Sequence, residues 1–251
     1  MGVESAKEGY TAACSEVHRS AYMNGKTMQQ LLSQKVISVC NPDFPTPEMI
    51  EFIGKLGFDA VFLDCEHSST DFKMISELTR AARLSNLHSL VRPWRNDPGL
   101  INRYLSCGAG GVQAPHVHSA ADARNIIEGL KRWGDGNYED KLLVVMIESQ
   151  QGVDNLPELL KMKEIDAFYI GQNDLAESMG LKGKRKDAKV QATVEDVIKR
   201  IADTGKVAGM NVQEDLEAVT HFMQLGMRWV NVHMRNFMDR GARAFLAGIN
   251  R

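Results

Sequence analysis

The chain of 251 residues is 43% hydrophobic and 25% charged with a formal net charge of -2, an ordinary globular balance that fits one α/β barrel or two small domains. No basic stripe marks a nucleic-acid surface, and no apolar run approaches the roughly 20 residues of a membrane helix. Met1 to Lys26 lacks a long apolar signal segment and the four cysteines (Cys14, Cys40, Cys65, Cys107) form no CxxC pair, so a cytoplasmic protein with reduced thiols is expected.

Residues 1–26 are polar without a sustained period and read as an N-terminal extension, with one short helix near Tyr10–His18. Thr27 to Gln34 reads as a short amphipathic helix, and Val36 to Cys40 as the first strand. Asn41-Pro42-Asp43-Phe44-Pro45 is a loop by its prolines. Thr46 caps a helix to about Leu56, with Pro47 at the favoured first position. The run Phe58-Asp59-Ala60-Val61-Phe62-Leu63 is apolar enough for a strand buried on both faces. It ends in Asp64-Cys65-Glu66-His67, three ionisable side chains within four residues.

Strands and helices keep alternating. Phe72 to Leu84 is helical, with Met74, Ile75, Leu78 and Ala82 on one side. Leu90-Val91 ends a third strand at Arg92, and Pro98 opens a helix that Gly108 closes. Gly111 to Ala114 is strand four, followed by Pro115-His116 and a helix from Ala120 to Lys131. Trp133 to Asn137 is turn-rich. Leu142 to Ile147 is a strand ending at Glu148. Asn155 with Glu158 three residues on forms a capping-box pattern for a helix to about Met162.

Ala167 to Ile170 is strand six, ending in Gly171-Gln172-Asn173-Asp174. A helix from about Val194 to Asp203 leads to strand seven near Val207–Met210. Leu216 to Leu225 is helical, Trp229 to Val232 is strand eight, and a last helix covers about Asn236 to Ala247 after His233. Eight strand-helix units predict a single (β/α)₈ barrel over 27–251. An open doubly wound sheet is the alternative, but no Gly-rich dinucleotide fingerprint follows the first strand. Gly108, Gly110 and Gly111 read as a helix cap and turn.

In a barrel the carboxyl ends of the strands form the active face. That face would carry Asp64, Glu66, His67, Arg92, His116, Glu148, Asp174 and His233. Asp64 and Glu66 share a face by strand alternation, with His67 beyond, an arrangement suited to an acid that holds a histidine base. The same acids could instead cap loop amides. Glu148 and Asp174, on adjacent strands, suit a hard divalent cation that leaves other positions to water and substrate. Standing alone, each could be a capping residue: Glu148 at a strand end, Asp174 before a short helix from Leu175. Arg92 offers a planar cation for a carboxylate or oxyanion. Metal, arginine and histidine together describe enolisation beside a carbonyl. His116 and His118 offer two zinc ligands, with no third at a recognisable spacing.

Several stretches then resemble one family. They are Gly57-Phe58-Asp59 with Asp64-Cys65-Glu66-His67, Val91-Arg92-Pro93, Gly108-Ala109 with Pro115-His116-Val117, Ile147-Glu148-Ser149-Gln150-Gln151-Gly152-Val153, and Ile170-Gly171-Gln172-Asn173-Asp174-Leu175 with Ser178-Met179-Gly180. Together, over roughly residues 27–235, they resemble the HpcH/HpaI aldolases, class II pyruvate-dependent enzymes. The resemblance implies a barrel that cleaves 4-hydroxy-2-oxo acids, of the 4-hydroxy-2-oxoheptanedioate or 2-dehydro-3-deoxyglucarate type, to pyruvate and an aldehyde. It implies a divalent cation (Mg²⁺, Mn²⁺ or Co²⁺) on Glu148 and Asp174, His67 as base with Asp64 orienting it, Glu66 near metal-bound water, and Arg92 steadying the enolate. Gly171, Gln172, Asn173 and His233 would meet substrate. Hexamers built from dimers are implied as well.

The chain departs from the family pattern at its rim. Only Trp133 to Asp140 stands where a longer Arg-Gly segment is usual, and Met146 replaces a glutamine, Gln172 a proline, His233 a small residue and Asn41 a tryptophan. A related metal-enolate lyase or decarboxylase fits the same core, and so does a barrel kept only as a binding or assembly module. Lys35, Lys141 and Lys206 all precede strands, which leaves no Schiff-base lysine at the active face.

Overall fold

The computed structural model describes residues 27–133 and 138–249. The predicted extension, its helix near Tyr10–His18, and Gly134 to Asn137 of the turn-rich segment lie outside them. Eight parallel strands close a barrel in chain order. They are β1 (Ile37–Asn41), β2 (Ala60–Asp64), β3 (His88–Arg92), β4 (Gly111–Ala114), β5 (Leu142–Ile147), β6 (Ala167–Ile170), β7 (Val207–Asn211) and β8 (Met227–His233). Closure comes from β1 against β8, in register from Ile37 opposite Trp229 to Asn41 opposite His233. It excludes the open doubly wound sheet.

The helices are α1 (Met28–Leu32), α2 (Pro47–Leu56), α3 (Phe72–Leu84), α4 (Pro98–Ser106), α5 (Ala120–Arg132), α6 (Gln150–Asp154), α7 (Leu156–Leu160), α8 (Gln172–Ser178), α9 (Ala188–Ala202), α10 (Leu216–Gln224) and α11 (Met234–Gly248). Local chemistry starts and stops them. The Thr46 side chain accepts from Met49 N, Pro47 occupies the first turn, and Gly57 ends α2 at φ 91°. Asp71 and Asp97 cap α3 and α4 in the same way.

Alternation along each strand divides the apolar residues into two layers. Ile37, Val39, Ala60, Phe62, Val144 and Trp229 fill the barrel interior. Val61, Leu63, Val91, Val112, Val145 and Phe168 face outward against helix residues such as Ile50, Ile75 and Val197. Trp229 fits inside because β7 offers Gly209 there; a Cβ at Gly209 would lie 2.4 Å from the Trp229 Cβ.

Two local expectations are corrected, and one short helix is added to them. Asn155 makes no side-chain cap to α7; its Nδ2 donates to the His118 carbonyl at 2.8 Å and ties two loops together. The residues after Glu148 form α6, capped by Ser149, whose Oγ accepts from Gly152 N at 3.1 Å. Helix α9 begins six residues before Val194, because Asp187 caps it through Lys189 N amid charged residues that mask the apolar period.

Candidate active site

The carboxyl ends of the strands surround a cavity of about 430 Å³. Eight of the ten predicted site residues line it: Asp64, His67, Arg92, Gly171, Gln172, Asn173, Asp174 and His233. Glu66 and Glu148 do not line it but stand against its wall, linked through His116.

Asp64 is the last residue of β2 and Arg92 the last of β3, paired in register. Arg92 Nε donates to Asp64 Oδ1 at 3.0 Å, and its second guanidinium nitrogen reaches Asp64 Oδ2 at 2.6 Å. A third guanidinium nitrogen lies 3.1 Å from Glu66 Oε2. Burial opposes the charge on Asp64, but Arg92 and two backbone amides hold its pKa below the usual value. Those amides belong to Glu66 and His67, at 3.0 and 3.2 Å. Here the expectation that Asp64 orients the His67 ring is corrected: Asp64 is committed to Arg92 and holds the His67 loop by its main chain. The His67 ring lies 3.7 Å from Glu66 Oε2 and is 68% exposed. Glu66 itself lies beyond β2, where alternation no longer applies.

Glu148 follows β5 and is 3% exposed. Its Oε1 accepts from His116 N at 2.6 Å and lies 3.1 Å from His116 Nδ1, while His116 Nε2 reaches Glu66 Oε1 at 2.7 Å. His116 achieves this two-sided contact at φ 54°, a left-handed conformation uncommon for a side chain of its size. His118 turns away to Ser149 Oγ at 2.7 Å, so the two histidines do not converge as zinc ligands.

Burial pushes the Glu148 pKa up, and the charges of Asp174 and Glu66 add to that rise against the His116 contacts. Asp174 sits in the first turn of α8, and Gly171 occupies the cap position, so Asp174 is not the N-cap. Among the described residues no three His, Cys, Asp or Glu side chains form a complete cation cage. A buried carboxylate crowded by two others nevertheless fits a hard cation, which needs only one or two protein carboxylates.

Across the mouth, His233 Nδ1 lies 2.7 Å from Asp43 Oδ1, and Arg235 Nε donates to the same oxygen at 2.7 Å. Asp43 lies in the proline-bounded loop, where its role had no local signal. Gln113 and Asn231 on the floor and Arg185 at the rim were also missed. For Gln113 and Asn231 a signal existed: each is a lone amide between apolar neighbours, Val112 and Ala114 in β4 and Val230 and Val232 in β8.

Residues 44–235 match the family model described as HpcH/HpaI aldolase/citrate lyase. The chain belongs to the HpcH/HpaI aldolase/citrate lyase family. It is 29% identical over 208 residues to a hydroxypyruvate/pyruvate aldolase of Roseovarius nubinhibens, covering 74% of this chain and 81% of the relative. It is 28% identical over 221 residues to a 4-hydroxy-2-oxo-heptane-1,7-dioate aldolase of Klebsiella pneumoniae, covering 78% and 83%. The crystal structure of an HpcH/HpaI aldolase from Desulfitobacterium hafniense shares the fold, with a TM-score of 0.80 at 20% identity over 90% of this chain and 98% of that one. Four of the departures from the HpcH/HpaI pattern, Asn41, Met146, Gln172 and His233, all line the cavity. The fifth, at Trp133 to Asp140, lies partly outside the described residues.

Proposed function

We propose that this member of the family is a class II aldolase that cleaves a 4-hydroxy-2-oxo acid reversibly to pyruvate and an aldehyde through a pyruvate enolate. The observation that carries the reading is the buried Glu148 beside Asp174 at the ends of β5 and β6, on the same face as Arg92 and His67. When bound by Glu148 and Asp174, a divalent cation such as Mg²⁺, Mn²⁺ or Co²⁺ supplies Lewis acidity toward the substrate carbonyl.

The protein's own groups do the rest. Arg92 commits three nitrogens to Asp64 and Glu66, which fixes its plane and leaves further N–H bonds for a substrate oxygen. His67, exposed at the cavity, takes the proton of the 4-hydroxyl as the carbon–carbon bond breaks. Glu66 holds His116, which in turn contacts Glu148. Gly171, Gln172 and Asn173 form the wall beside Asp174, and His233 borders the aldehyde side.

Among the described residues, no lysine lines the cavity. Lys206 lies at the opposite rim, bonded to the carbonyls of Met162 and Ile165 ahead of β6. This supports the metal route over a Schiff base. The exposed Phe237, Met238, Phe245, Leu246 and Ile249 of α11 and its end support a homo-oligomer, a hexamer or trimer of dimers, testable by sedimentation.

Exchange of the pyruvate methyl protons with D₂O tests the reading without any aldehyde. Exchange should occur, EDTA should stop it, and borohydride with pyruvate should label no lysine. Calorimetry should find Mg²⁺ or Mn²⁺ affinity in the wild type and none in Glu148→Ala. Metal-independent exchange or a trapped lysine adduct would refute the assignment.

A further inference from the structure

Of the two described histidines that line the cavity, His233 is the one held by an acid. Its Nδ1 lies 2.7 Å from Asp43 Oδ1, and the Asp43 side chain is fully buried. His67 lacks such support, since Asp64 serves Arg92 and the His67 ring stands 3.7 Å from Glu66 Oε2. A carboxylate at Nδ1 fixes the tautomer and leaves the lone pair on Nε2, the pairing that makes a histidine a general base. His233 Nε2 makes no hydrogen bond among the described residues, and the ring is partly exposed where it lines the cavity.

Local chemistry sets this pair on the two sides of the β1–β8 seam. Asn41 ends β1 opposite His233, the last residue of β8. Asn41 Oδ1 accepts from Asp43 N at 2.9 Å and turns the chain, with Asp43 at φ 60°, back toward the ring. Arg235 supports the same carboxylate, its N donating to Oδ2 at 2.9 Å and its Nε to Oδ1 at 2.7 Å. Glu214 accepts from His233 N at 2.9 Å. Burial opposes the charge on Asp43, but the contacts of His233 and Arg235 hold its pKa below the usual value, so the acid is ionised at neutral pH. Asn41 and His233 are two of the departures from the family pattern, and Asp43 joins them into one unit.

The aldolase reading needs two proton transfers and gives a residue to one of them. His67 takes the proton of the 4-hydroxyl. C3 of the enolate must then gain a proton to become the pyruvate methyl. C3 is the atom that parts from the aldehyde, so a group bordering the aldehyde side faces it. His233 stands there, on β8, while His67 stands beyond β2.

We propose that His233, held by Asp43, is a second acid–base residue that moves the proton at C3 of the pyruvate unit. This inference rests on the aldolase reading and adds a catalytic residue to the same site. In cleavage the C3–C4 electron pair becomes the enolate, and His233 Nε2–H gives its proton to C3. In exchange without aldehyde, Nε2 takes a C3 proton and the C–H electron pair enters the enolate. The ring then trades that proton for a solvent deuteron and returns the deuteron to C3.

The experiment follows pyruvate methyl exchange in D₂O by NMR, with Mg²⁺ and with protein-free controls. A clasp that merely ties the β1 loop to α11 needs only the Nδ1 contact. His233→Asn keeps an N–H near that position and removes Nε2, so it preserves a clasp and destroys a base. It should lower kcat for exchange by roughly 10²–10⁴-fold, the usual contribution of a positioned base. The KM for pyruvate should stay within about twofold, because no ground-state contact is lost. In His233→Ala, added imidazole should restore exchange in a saturable way and leave the wild type unchanged. If neither variant folds by circular dichroism, Asp43→Asn supplies the test and should lower kcat by at least about tenfold. Wild-type exchange in folded His233→Asn or Asp43→Asn, or no response of folded His233→Ala to imidazole, overturns the inference while the aldolase reading stands. Absence of exchange in the wild type overturns the aldolase reading and this inference with it.

Discussion

Gly171 backs directly onto Glu148. A Cβ placed on Gly171 would lie 2.8 Å from both the Cβ and Oε2 of Glu148, closer than real side chains approach. The backbone at Gly171, with φ -86°, would tolerate any residue, so it is this contact that calls for glycine. Gly171→Ala should displace the Glu148 carboxylate and lower exchange activity by roughly 10²-fold, the usual effect of misplacing a reacting group by about 1 Å. Thermal melting should show a folded protein. Wild-type activity in this variant would remove Glu148 from the site.

The Asp64–Arg92 pair should stabilise the barrel as well as shape the site. Both side chains are largely buried, at 16% and 13% exposure. Asp64→Ala leaves Arg92 with Glu66 alone and should cost about 3 kcal/mol in urea unfolding. The Asp64 pKa is held below its ordinary 3.8, so the stability it contributes is present above that value and lost as pH falls below it. The wild type should therefore lose its advantage over Asp64→Asn only at acidic pH.

His67→Ala should lower turnover by roughly 10²–10⁴-fold while metal binding, read by calorimetry, is preserved. The exposed ring has a single described ionic contact, to Glu66, so the fold should not respond. Turnover at the wild-type rate would rule His67 out as the base.

Asp166 gives a pH effect remote from the site. Burial pushes its pKa up to about 6, against the opposing contributions of the Leu143 amide and Lys206. The folded state therefore binds the proton more tightly than the unfolded chain. The stabilisation is complete below about 3.8 and is lost as pH rises through about 6. Asp166→Asn can still accept from Leu143 N and should remove this slope. Parallel stability curves for the two proteins between pH 4 and 6 would contradict the assignment.

Much of this protein is written locally. Barrel architecture follows from eight apolar strand runs separated by capped helices, because period and capping act over a few residues. The candidate residues at the strand ends were legible for the same reason: Asp64, Arg92 and Glu148 each sit where an apolar run stops. Tertiary structure alone decided the partnerships. Asp64 serves Arg92 instead of the neighbouring His67 ring, because strands β2 and β3 lie side by side and the guanidinium fills the space between them. His116 reaches Glu66 and Glu148, 50 and 32 residues away, through a left-handed backbone that no local pattern announces. The place of the buried Gln113 amide likewise becomes legible only when closure of the barrel turns one face of every strand inward and sets it among the residues that line the cavity.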